Sequence, residues 1–233
     1  MHVTPTPRRF RYSLHLSDGS SHSIVIVLDP ASQSCQQPAP VEQPWTRLDC
    51  HRCPHCPLDA ASSPLCPLAA RLAPLVERVG SLLSYDMVAA EVHDGVRTIR
   101  ANVSAATAAS SIMGLISATS GCPHTAFLKP LAWFHQPFAS EEETLFRVLS
   151  SHLVEHLLHG SGEPDLDLLK QRYRAVEQVN VHLARRLLEG CDNDAAINAI
   201  VHLDIFAKVI PFAVDRTLAQ LRRLYPAPSG DCA

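Results

Sequence analysis

Eight cysteines stand in this chain of 233 residues, and four of them, Cys53, Cys56, Cys66 and Cys122, are each followed directly by proline. Proline fills only 18 of the 233 positions, so four such pairs mark a set rather than a scatter. In Cys53-Pro54-His55-Cys56-Pro57 two residues separate the thiols, a spacing that lets one tight turn present both to the same ion. Cys66-Pro67 follows shortly after, and Gly121-Cys122-Pro123-His124 much later. Four thiolates satisfy either a tetrahedral zinc ion or a cubane cluster, so the expected chemistry is a metal centre held by Cys53, Cys56, Cys66 and Cys122. The other cysteines, Cys35, Cys50, Cys191 and Cys232, lack the following proline.

The identity of the metal turns on the residue after the second cysteine. Zinc knuckles usually place glycine there, where backbone N–H groups turn toward sulfur, whereas Pro57 removes a donor. A Cys-Pro ending belongs to ferredoxin-type runs, although the spacing from Cys56 to Cys66 does not match theirs. A 4Fe-4S iron-sulfur cluster used for redox or sensing is therefore the first expectation, and a structural zinc in a helical interaction or regulatory module the alternative. Cys-Pro-His-Cys also resembles a strongly oxidising thioredoxin-like motif, but that motif opens a helix after a strand, and here it sits in a proline-rich loop. Should Cys122 be only a small buried residue, Cys50, His51, His55 or His124 supplies the fourth ligand. A helix starting at Pro67 would place Cys66 at its positive end, favouring the thiolate.

These residues need a scaffold. Alternation over residues 10–16, turn chemistry at Ser17-Asp18-Gly19-Ser20 and β-branched residues over 24–28 predict a hairpin. A second hairpin is predicted over 87–92 and 96–103 around His93-Asp94-Gly95. Between them, residues 30–66 are rich in Pro, Gln, Ser and Cys, an irregular segment that is disordered unless something other than secondary structure holds it. Leu68, Leu72, Leu75, Val76, Val79 and Leu83 recur at helical spacing, with Pro74 a kink or a first-turn residue, and residues 104–119 read as a small-residue helix. Beyond Pro137 the pattern is purely helical. Ser140 and Glu143 form a capping box, Gly160 suits a left-handed cap, Pro164 and Gly190 bracket a second helix, and a third starts behind Asp192 or Asn193, meets Pro211 and stops at Pro226. The expected fold class is α+β: residues 1–130 form antiparallel hairpins with the Cys/Pro-rich loop and two helices, and an all-helical region over 138–226 packs on them.

The segments Cys53-Pro-His-Cys56-Pro-Leu, Cys66-Pro67, Ser120-Gly121-Cys122-Pro123-His124 and Phe134-His135-Gln136-Pro137-Phe138-Ala139-Ser140 resemble those of a group of bacterial proteins of unknown function. The resemblance spans most of the chain and implies no activity.

Other residues carry weaker signals. His152, His156 and His159 share one helical stripe, which can bind zinc or, more simply, form a solvated face complementing the helix dipole. The aromatic run from Trp133 to Phe138 reads as a packed loop, or as the lining of a pocket beside Cys122. Arg172, Arg174, Arg185, Arg186, Arg222 and Arg223 fall in a region with nine basic and nine acidic residues, so they read as a balanced, solvated face. With a net charge of -3 and no basic track, no nucleic-acid partner is expected; a protein or redox partner is. The uncharged stretch 101–128 is long enough to cross a bilayer, but seven Ser or Thr within 101–121 favour a buried helix. No secretory signal is read at the start, so a cytoplasmic location is expected, where clustered cysteines are metal ligands or redox thiols more often than disulfides. No P-loop, dinucleotide fingerprint or nucleophile elbow occurs to point to an enzyme.

Overall fold

The computed structural model describes residues 6–190 and 194–225, the side chains of 206, 212–217 and 220 excepted. Five antiparallel strands come first: β1 (Arg8–His15), β2 (Ser21–Leu28), β3 (Cys35–Gln37), β4 (Met87–His93) and β5 (Thr98–Ser104), in the order β3-β2-β1-β4-β5. Both predicted hairpins are present. Gly19 and Gly95 take the left-handed conformation that their tight turns require, at φ of 85° and 95°. In the second turn the Asp94 carboxylate accepts from the backbone N–H of Val96 and Arg97, replacing the ladder bonds that the turn interrupts.

One face of the sheet is apolar because strand side chains alternate: Phe10, Tyr12 and Leu14, then Ile24, Ile26 and Leu28, then Val88, Ala90 and Val92 are buried. Burying each of the larger ones contributes about 1.5–3 kcal/mol. They join one cluster with α1 (Pro67–Arg78) and α2 (Ala105–Thr119). Pro74 lies inside α1, and Ser104 caps α2 by accepting from the Thr107 N–H. Twelve of the fifteen residues of α2 are buried, which is why this stretch is so uniformly small and uncharged. No helix among the described residues is long and apolar enough to cross a membrane.

The helical half comprises α3 (Lys129–Trp133), α4 (Glu141–His159), α5 (Leu166–Gly190) and α6 (Asp194–Leu221). Val179, Leu183 and Leu187 of α5 and Ala195, Ala196, Ala199 and Ile200 of α6 enter the same buried cluster as the sheet. A second cluster, containing Leu145, Val148, Tyr173, Val176 and Ile210, lies among α4, α5 and α6. The capping box of α4 is formed as expected. Gly160 ends α4 differently from the expected left-handed cap: its φ is -91°, and the positive φ falls on Gly162. Cys191, Asp192, Asn193, Pro226 and Cys232, with the helix limits placed on them, lie outside the described residues.

Residues 30–66 are more ordered than their composition suggests. They hold β3, a 3₁₀ turn at Pro44–Thr46 and an isolated bridge between Arg47 and Leu65. Elements of two or three residues carry no periodicity, so the sequence pattern has nothing to show there.

Candidate metal centre

Cys53, Cys56, Cys66 and Cys122 line one small cavity. Each arrives by a different local device. The Cys56 N–H donates to the Cys53 carbonyl at 3.0 Å, the tight turn that the two-residue spacing allows. Cys66 occupies the N-cap of α1, with Pro67 behind it, and its N–H donates to the Thr46 carbonyl at 2.8 Å. Cys122 lies in the turn after α2, entered through Gly121 at a φ of 97°, where a Cβ would be strained. The Thr125 N–H donates to the Cys122 carbonyl at 3.2 Å and holds that turn.

The surroundings are dry. Leu48, Leu68, Val179 and Leu183 share the lining, and all four are buried. Burial, and then the neighbouring sulfurs of Cys66, Cys122 and Cys56, push the Cys53 thiol up to about 12. Burial likewise raises Cys122. Burial thus holds Cys53 and Cys122 in the thiol form until a cation replaces their protons, which is the exchange that metal binding performs.

Arg186 is the one charged side chain in the lining. It is only 2% exposed, so it departs from the solvated face expected of the C-terminal arginines. A buried arginine ordinarily faces a carboxylate. Here its Nη1 donates to the carbonyls of Trp45 and Arg47, at 2.9 and 2.6 Å, and its Nη2 to that of Leu48, at 3.1 Å. Among the described residues no carboxylate forms an ion pair with it, so its charge lacks a counter-ion while its hydrogen bonds are made.

The same loop is tied to α5 twice more. His182 Nδ1 bonds to the His51 carbonyl at 3.1 Å, and His55 Nε2 to the Ala175 carbonyl at 3.2 Å. These bonds supply the order that residues 30–66 lack in secondary structure. His55 and His124, the reserve ligands, meet with ring centroids 3.9 Å apart and planes tilted by 44°, and His124 Nε2 bonds to the His55 carbonyl. Cys50 and His51 form a group of their own with Glu189: one ligand atom from each lies within 4.8 Å of the others. Cys50 Sγ is 4.0 Å from the Glu189 carboxylate, which His51 Nε2 also meets. This group can hold a metal ion near the surface. Glu189 carries no sequence signal for it, being 138 positions from His51.

Size separates the two candidate centres. A tetrahedral zinc with bonds of about 2.3 Å sets its sulfurs roughly 3.8 Å apart. No three of the four cysteine sulfurs lie within 4.8 Å of one another. The cavity between them has a volume of about 20 Å³, on the order of one water-sized occupant. A single ion thus fits the space and needs the sulfurs to close in, while a cluster needs the space to open.

The other histidine and aromatic candidates take different roles. His152 is buried, against the solvated reading of its stripe, and its Nε2 bonds to the Asp165 carbonyl at 2.9 Å. His156 Nε2 bonds to the Gly162 carbonyl at 2.8 Å, so both fasten the turn between α4 and α5, while His159 is exposed. His135 and Phe138 line a second, larger cavity and not that of Cys122.

Comparison with known proteins finds no curated protein and no solved structure that matches. A family model described as a domain of unknown function, DUF6901, matches residues 9–226, and the chain belongs to that family.

Proposed function

We propose that Cys53, Cys56, Cys66 and Cys122 ligate one metal centre, an iron-sulfur cluster that serves redox or sensing. The observation that carries this reading is the pairing of four thiols that line one cavity, Cys122 buried and Cys53, Cys56 and Cys66 half-buried, with a buried arginine that has no carboxylate partner among the described residues. Four thiolates around either a zinc ion or an oxidised cubane leave a net negative centre, and Arg186 supplies the positive charge beside it. No three of these sulfurs lie within 4.8 Å of one another, looser than one zinc ion requires, and this favours a cluster, whose several irons spread its ligands further apart. When bound, such a cluster takes up and releases single electrons. Leu48, Leu68, Val179 and Leu183 wall the thiolates on their inner side, and the turn from Cys53 to Cys56 fixes two of them.

A structural zinc is the second reading, favoured by the cavity of about 20 Å³. In that case the centre clamps the loop to α5, and the chain acts as an interaction module. Leu157 and Leu158, 82% and 69% exposed on α4, suit a protein partner under either reading. Visible absorption of anaerobically purified protein separates the two. A cluster gives a brown protein that bleaches on reduction, and zinc a colourless one.

A further inference from the structure

A cavity of about 430 Å³ lies between the two apolar clusters, bordered by α2, α4, α5, α6 and the turn that carries His135. Its size is that of a small-molecule site. Most of the surface it presents is apolar, and among the described residues no Asp or Glu lines it. Two polar groups in the wall are buried and without partners: Asn180 Nδ2 on α5, in a residue 5% exposed, and Ser117 Oγ on α2, in a residue 8% exposed. A buried donor left unpaired costs about 1–3 kcal/mol, so two in one cavity call for an acceptor that the protein does not provide.

Arg147 lines the same cavity. Its Nη2 donates to the carbonyls of Leu131 and Phe134, at 2.7 and 3.0 Å, which aims the guanidinium and leaves Nε and Nη1 without a bond among the described residues. Arg147 acts electrostatically on Tyr173, which lies seven residues before Asn180 on α5. Seven helical residues rise about 10 Å, which is the spacing along α5 between Tyr173, on which the charged donor acts, and the unpaired amide.

We propose that this cavity binds a medium-chain carboxylate of roughly ten carbons, the length of that rise, bearing a second oxygen at its far end. The carboxylate lies on Arg147, the chain lies against the apolar surface, and the terminal oxygen accepts from Asn180 and meets Ser117. The test is calorimetric titration of the purified full chain with ω-hydroxydecanoate, decanoate and decanol. Binding is expected in that order of strength, decanoate at least five-fold weaker than the hydroxy acid and decanol weaker again. Arg147→Met should weaken the hydroxy acid at least ten-fold. Asn180→Leu should abolish the preference for the hydroxy acid over decanoate. The ligand series on the unaltered chain decides the matter even if a variant fails to fold. Absence of binding, or equal binding of all three, overturns the proposal, as does a folded Arg147→Met protein that binds the hydroxy acid unchanged.

Discussion

Arg186 lies close enough to Cys53 for its charge to favour the thiolate, although burial and the other sulfurs outweigh it. The same guanidinium holds the backbone of Trp45, Arg47 and Leu48. One side chain therefore builds the loop and would balance a negative centre within it.

Arg186→Gln separates these two duties from a general loss of packing. It removes the charge and at least one of three buried hydrogen bonds to carbonyls, so stability should fall by about 3 kcal/mol in urea unfolding. The variant should also carry less metal per chain. Arg186→Lys, which keeps the charge but not the fork, should retain more metal than Gln while recovering only part of the stability.

Gly190 offers a steric test of the same loop. A Cβ there would overlap the ring of Trp45, the residue whose backbone carbonyl accepts from Arg186. A ring packed at 4% exposure cannot swing aside cheaply. Gly190→Ala should destabilise the chain by about 1–3 kcal/mol, as overpacking does, and shift Trp45 fluorescence. Gly114→Ala, whose Cβ would meet Leu203 at an ordinary 3.6 Å, should leave stability within about 1 kcal/mol of the parent.

His135 gives a pH dependence with a definite sign. Burial, and then the Arg147 cation, push its imidazole down to about 3, and its Nε2 shares a hydrogen bond of 2.5 Å with the Tyr12 hydroxyl. The folded state holds it neutral where the unfolded chain, with an ordinary value near 6.5, takes up a proton. Between about pH 6.5 and 3 the unfolded state is the proton-rich one. This group therefore lowers stability as pH falls, by about 1.4 kcal/mol per unit at the steepest. Urea midpoints from pH 7 to 4 should show the slope, and His135→Gln should flatten it.

Much of the scaffold can be read from the residues because its signals are local. Alternation in the strands, glycines in the turns and the Ser140–Glu143 box each act within a few positions. The Cys-Pro pairs are legible for a similar reason, since a repeated dipeptide needs no tertiary knowledge, and it selects the four cysteines that line one cavity. Arg186 is not legible. Its partner carbonyls lie about 140 positions away, and an arginine on an amphipathic helix reads as surface until the loop that covers it is placed. Glu189 is hidden in the same way. The turns that order residues 30–66 are backbone interactions, which leave little trace in side-chain pattern.

The central claim is that the four cysteines hold one centre, and metal with acid-labile sulfide per chain, measured after anaerobic purification, tests it most directly. The parent chain should carry roughly four iron and four sulfide. The Cys53→Ser, Cys56→Ser, Cys66→Ser, Cys122→Ser quadruple variant should carry neither and lose amide protection over residues 44–66. Cys50→Ser should retain both, because its thiol stands outside the cavity. Stoichiometric zinc without sulfide would replace the cluster by the clamp. A metal-free parent chain whose Cys53 and Cys56 form a titratable disulfide would contradict the account.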